Sequence, residues 1–170
     1  MKELKEWIKS IVIAIILALI IRGFVMESFI VDGSSMLPTF TDNERVLVNK
    51  FVYRFREPRH GEIVVFPFPN EEDKILIKRV IGEPGDKVEI ISEQLYLNDQ
   101  LVDEGYILHD SAGKDFGPVW VPEGYVLLLG DNRNNSHDSR DPEVGFIDID
   151  DIRGKTFMRY WPISKIRYFK

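Results

Sequence analysis

All nine prolines of this 170-residue chain fall between Pro38 and Pro162. A proline inside a helix removes a backbone donor and clashes with the preceding turn, so their spread leaves little room there for long helices. Between them lie short runs rich in Val, Ile, Phe and Tyr, bounded by Gly, Pro, Asn and Asp. That is the signature of strands, here 29–31, 46–49, 62–66, 76–81, 87–91, 94–97, 100–102, 125–129 and 156–160. Asn98 and Asp99 between two such runs read as the two-residue turn of a hairpin. The body is therefore mainly β, built of antiparallel sheets. Residues 87–121 are more polar and turn-rich and read as a small inserted subdomain. They divide a catalytic-sized β domain into 27–86 and 122–170. The aromatic tract Phe51–Phe55 reads as core-facing alternation on a strand, the alternative being a membrane-interface contact.

Residues 1–26 are different. Ser10–Ile21 is twelve residues without a charge, short of the ~20 needed to cross a ~30 Å hydrocarbon layer. Extending the run over 8–26 makes it long enough, with Lys9 and Arg22 near the ends, where their stems can carry the charge to the headgroups. A cleaved signal peptide would need a small-x-small site after the run, and Arg22-Gly-Phe-Val-Met-Glu-Ser-Phe offers none. A buried helix in water would need a polar stripe. The expectation is one retained transmembrane helix, with Lys2, Lys5 and Lys9 holding the N-terminus in the cytoplasm and the body outside.

Composition closes other routes. The chain lacks cysteine, which excludes disulfides, thiolate metal sites and a cysteine nucleophile. Its formal net charge of −6 argues against a nucleic-acid partner.

Three segments could carry chemistry. Ser34 and Ser35 follow Gly33 and precede Met-Leu-Pro, which suits a turn and also suits a nucleophile exposed at a strand end. Alternation along 76–80 puts Lys78 on one face with Leu76 and Val80. It is either an edge lysine that discourages pairing or an amine taken out of water, whose lowered pKa would let it accept a serine proton. Residues 130–140, Gly-Asp-Asn-Arg-Asn-Asn-Ser-His-Asp-Ser-Arg, form either a solvated loop or a polar network held by its own hydrogen bonds. Arg133 spoils a calcium loop opening at Asp131. A triad through His137 and Asp138 is disfavoured, since adjacent residues on extended chain point apart. His60 and His109 read as surface residues, and the histidine spacings suggest no metal site.

Taken together, Ser-Met-Leu-Pro-Thr at 35–39, Gly-Glu-Ile-Val-Val-Phe at 61–66, Lys-Arg-Val-Ile-Gly-Glu-Pro-Gly-Asp at 78–86 and the 130–140 run, in this order behind one apolar segment, resemble the bacterial type I signal peptidases. The resemblance implies a signal-peptidase-like β fold and a membrane-anchored serine endopeptidase. It would remove signal peptides from exported preproteins at the outer face of the cytoplasmic membrane. It implies Ser35 as nucleophile and Lys78 as general base, with no metal or cofactor. Ser136 matches the serine that hydrogen-bonds the lysine amine, and Asp138 and Arg140 the ion pair supporting the site. Asp131, Asn132 and Arg133 match structural members of the same motif, and His137 stands where the family varies. Phe29, Val31, Met36, Val65 and Ile77 match the residues lining shallow pockets for small substrate side chains. One departure is Gly33, where many members carry a hydroxyl that helps hold the oxyanion. Preproteins, the phospholipid bilayer and the secretion machinery are the implied partners. The competing readings are a catalytically silent, membrane-tethered β domain that binds exported chains, and a self-cleaving Ser–Lys repressor-type protease, which the N-terminal segment argues against.

Overall fold

The computed structural model describes residues 2–20, 23, 25–69, 71–107 and 114–169. It opens with helix α1 (Lys2–Ile20). Among the described residues no helix is long and apolar enough to cross a membrane. The expected span over 8–26 is not one helix, because Met26 already opens a strand. The uncharged part of α1 starts only at Ser10 and rises ~16 Å, about half a ~30 Å hydrocarbon core. Ile21, Arg22 and Phe24 of that expected span lie outside the described residues.

Twelve strands follow among the described residues: β1 (Met26–Ile30), β2 (Arg45–Asn49), β3 (Ile63–Phe68), β4 (Glu71–Gly82), β5 (Lys87–Ile91), β6 (Gln94–Leu97), β7 (Gln100–Leu101), β8 (Phe116–Trp120), β9 (Tyr125–Leu129), β10 (Ile147–Asp148), β11 (Gly154–Trp161) and β12 (Arg167–Tyr168). The larger sheet runs β1-β2-β11-β3-β4-β9-β10, with β12 on β11, and the smaller runs β7-β6-β5-β8. Every pairing is antiparallel. Asn98 and Asp99 both take positive φ, 52° and 64°, as the expected tight hairpin requires.

Strand β3, and β9 beyond its exposed Tyr125, are apolar throughout because both faces are buried. Val64, Phe66 and Phe68 pack with Val80, Val126 and Leu128 on one side. Ile63 and Val65 pack on the other with Val31, Met36, Phe40, Val46 and Val48. Leu127 and Leu129 turn toward the small sheet, against Ile81, Val88, Ile90 and Leu95. Lys78 stands opposite Val64, on the same face as Leu76 and Val80, so the period-2 reading of this strand holds.

The aromatic tract is not a core strand. Asn49 Oδ1 accepts the N–H groups of Phe51 and Val52 and bends the chain into a 3-10 turn over Val52–Arg54. Phe51 and Phe55 are thereby left exposed, Phe55 by 74%, stacked edge to face at 4.8 Å. Tyr53 alone turns inward, packing on the core and donating to Glu62.

Candidate active site

Ser35 sits in the turn that follows β1. Val31 N–H donates to Glu44 O and Asn43 N–H to Val31 O, closing the chain into a loop. Gly33, at φ 84°, takes a left-handed conformation that suits glycine, and its N–H donates to Asp42 Oδ1 at 2.8 Å. That donor is therefore engaged. The Ser35 carbonyl accepts Asn132 N–H at 3.0 Å, and Ser34 O accepts Asn132 Nδ2 at 3.1 Å. The serine turn is thus held directly by the polar loop.

Lys78 is only 2% exposed. Its Nζ lies 2.8 Å from Ser35 Oγ and 3.0 Å from Ile77 O. Burial among aliphatic residues lowers its pKa from 10.5 to about 8, with the Asp138 and Asp131 charges pulling the other way. An amine in that range is neutral often enough near pH 8 to accept a proton from the hydroxyl beside it.

The 130–140 segment is a polar network anchored by the buried Asp131, Arg133, Asp138 and Ser139, with Asn134 and Asn135 exposed. Asp138 takes Arg140 Nε and Nη2 at 2.8 and 2.9 Å and Gly130 N–H at 3.0 Å. Burial works to raise the Asp138 pKa, but the Arg140 guanidinium and the Gly130 N–H outweigh it and hold the carboxylate ionised. Asp131 takes Arg79 Nε at 2.8 Å and Nη2 at 2.6 Å, and Thr39 Oγ1 donates to it at 2.5 Å. Ser136 Oγ is buried against the Gly130 Cα, near enough to Asp138 to help lower its pKa. It makes no hydrogen bond of normal geometry, so the bond to the lysine amine that the resemblance implies is absent from this arrangement.

A cavity of about 60 Å3 opens beside the Ser35–Lys78 pair, several times the ~10–15 Å3 that one water needs. Phe29, Val31, Val65 and Ile77 line it, as do Ile30, Val46, Ile75 and Leu76. Met36 is buried in the cluster behind and does not reach its wall. Among the described residues only one side of β1 is paired, with β2. On β4, residues 75–78 pair with β3 alone, since β9 joins only from Arg79 onward. Two free strand edges therefore flank the cavity.

His137 stands apart from this group. Its Nε2 is 3.0 Å from Asp141 and 3.7 Å from Glu143, and its ring packs on Phe68. These three side chains gather ligand atoms within 4.8 Å of one another, on a partly exposed turn. His60 Nδ1 donates to Ile81 O at 2.7 Å. His109 lies outside the described residues. Sequence reasoning missed the involvement of Thr39 and Arg79, and of Glu104 and Tyr106, which follow β7. Arg79 had a visible signal, since alternation sends it to the face opposite Lys78, where a buried guanidinium needs an acceptor.

A hydroxyl hydrogen-bonded to a desolvated amine, at the mouth of an apolar cavity between two strand edges, is the apparatus of a serine peptidase. Comparison with known proteins agrees. Residues 4–161 match the family model described as signal peptidase, peptidase S26. Signal peptidase I S of Bacillus subtilis (strain 168) is 42% identical over 98% of this chain and 94% of its own. Probable signal peptidase I-2 of Synechocystis is 42% identical over 93% of this chain and 73% of its own. A crystal structure of signal peptidase I from Enterococcus faecalis V583 superposes with a TM-score of 0.51 at 31% identity, covering 59% of this chain and 97% of that one. The chain belongs to the signal peptidase family. As a member it is a serine endopeptidase that removes signal peptides from preproteins.

Proposed function

We propose that cleavage proceeds by acyl transfer through Ser35 and Lys78. The neutral amine takes the hydroxyl proton as the oxygen attacks the scissile carbonyl. The ammonium so formed protonates the leaving amine, and the lysine then activates the water that releases the acyl group. The observation carrying this reading is the 2.8 Å contact between Lys78 Nζ and Ser35 Oγ at a fully buried amine. Ser136, Asp138 and Arg140 hold the network behind the amine. The substrate lies extended between the free edges of β1 and β4, adding main-chain hydrogen bonds to both. Its small side chains before the cut enter the cavity lined by Phe29, Val31, Val65 and Ile77, and larger ones are excluded by clash.

The site belongs at a membrane surface. Along the uncharged part of α1, Ile11, Val12, Ile13, Ile15, Ile16 and Leu17 are all exposed, an apolar surface on every side that is unfavourable in water and favourable in lipid. Lys2, Lys5 and Lys9 at its start favour a cytoplasmic N-terminus, with residues 27–86 and 122–170 as the catalytic domain on the outer side and 87–121 inserted in it. The bilayer and the secretion machinery are then the surroundings from which preproteins arrive.

The deciding experiment is cleavage of a model preprotein by the full chain in detergent, alongside Ser35→Ala and Lys78→Ala. Both variants should fold and lose cleavage. Activity retained in either would refute the dyad, and unchanged processing by Ser35→Ala would favour the binding-only domain.

A further inference from the structure

Residues 103–107 leave the small sheet and reach the back of the site. Glu104 is 8% exposed and its partner Arg133 only 3%. The Glu104 carboxylate faces both terminal nitrogens of Arg133, with Nη1 at 2.9 Å from Oε2 and Nη2 on Oε1, and Tyr106 Oη donates to it at 2.5 Å. Such a two-point contact is directional, and burial makes it intolerant of a missing partner. Arg133 Nε in turn donates to Gly130 O at 3.0 Å. The Tyr106 ring lies 3.9 Å from the Arg79 guanidinium, which holds Asp131. Glu104 thus grips Arg133 directly, while Tyr106 braces Glu104 and reaches Asp131 through Arg79. Between Asp131 and Arg133 stands Asn132, the residue that binds the Ser35 and Ser34 carbonyls.

We propose that Glu104 and Tyr106 are positioning residues for catalysis: they clamp the 130–140 network against Ser35 and Lys78 and keep water from the amine. The inference rests on the Ser35–Lys78 reading above. The charged groups around the amine are Asp131 and Asp138, countered by Arg79 and Arg140, with Asp32 on the rim of the same cavity. Strand β3 places Val64 opposite Lys78, and β9 brings Leu129 and Leu128 beside Arg79 and Val80. Strand β3 carries no titratable side chain and β9 only Tyr125, at its exposed end, so the desolvation of Lys78 depends on the loop staying down. Loosening the clamp lets water in and returns the amine toward the ordinary lysine range.

The test uses Glu104→Gln, Tyr106→Ala and Tyr106→Phe in the full chain, with Leu95→Ala, in the core of the small sheet, as a stability control. Two quantities are followed against pH: kcat/KM on a model preprotein, and acetylation of Lys78 by acetic anhydride in a Ser35→Ala background, read by mass spectrometry. Glu104→Gln and Tyr106→Ala should raise the acid limb and the labelling midpoint together. Activity at pH 7 should fall about threefold to tenfold, matching a rise of half to one pH unit, and recover in alkali. Tyr106→Phe, which keeps the ring on Arg79, should shift less than Tyr106→Ala. Leu95→Ala should lower Tm and leave both midpoints in place. Clamp variants that lose Tm or active fraction with unmoved midpoints would overturn the proposal. If Glu104→Gln does not fold, the half-buried Tyr106 pair decides. Persistent cleavage by Ser35→Ala would sink the dyad while the labelling midpoint still judged the clamp.

Discussion

Replacing Lys78 by methionine should stabilise the protein at neutral pH while abolishing cleavage. The amine's pKa falls from 10.5 to about 8 on folding, which at about 1.4 kcal/mol per pH unit is a cost on the order of 3 kcal/mol. The direction follows from proton uptake. Below pH 8 both folded and unfolded chains carry the proton, and the folded one bears it in a poorly hydrated place, so the whole cost is present. Between about 8 and 10.5 the folded chain has released the proton and the unfolded one has not, and the cost fades. Above that window it is gone. Methionine fills similar volume without charge, but forfeits the bonds to Ser35 Oγ and Ile77 O, worth about 1 kcal/mol each at most. The net gain at pH 6.5 is then roughly 1–3 kcal/mol, a rise in Tm of a few degrees. Urea unfolding of the unchanged protein and of Lys78→Met at pH 6.5 and near 10.5 measures it. A gain that is absent at pH 6.5, or equally large at both pH values, would refute the argument that burial sets the amine's pKa.

Three further outcomes can be checked. Gly130→Ala would drive a Cβ into Ser136 Oγ and to 2.5 Å from the Ser35 carbonyl oxygen; displacing that backbone should cut kcat at least ~100-fold in a cleavage assay. Ile77→Ala enlarges the cavity wall, and the ratio of kcat/KM for a valine over an alanine in the residue before the cut should rise about tenfold or more. Burial works to raise the Glu62 pKa, but Arg56, Lys155 and the Arg59 N–H prevail and hold it at about 2. Its stabilisation is therefore present above pH 4.5 and lost as pH falls through about 2, so the gap in unfolding free energy between the protein and Glu62→Gln should close over that interval.

Strand positions and the face of Lys78 were legible because they depend on local alternation and on turn residues, both written in short stretches of sequence. Strand β8 escaped because Phe116-Gly-Pro-Val-Trp120 contains two residues that weaken strands. It is tolerated because β8 is an edge of the small sheet, where proline's missing donor matters least. Strands β10 and β12 are two residues each and make no pattern. The tract at Phe51 misled because alternating aromatics look alike on a strand and in a tight turn until the Asn49 side chain's bonds are known. At the site, Ser35 and Lys78 carried little weight singly and much as a pair. Glu104 and Tyr106 left no trace, because an acidic residue and a tyrosine in a polar stretch normally face water, and only the tertiary approach of Arg133 and Arg79 draws them inside.

On the binding mode proposed above, the unpaired sides of β1 and β4 receive a single extended chain. A polypeptide already folded through its cleavage point has spent its own amide and carbonyl groups and cannot bind there. Processing is therefore a race against the cargo's own folding: chains that stay slack near the junction are released, and those that tighten early remain tethered.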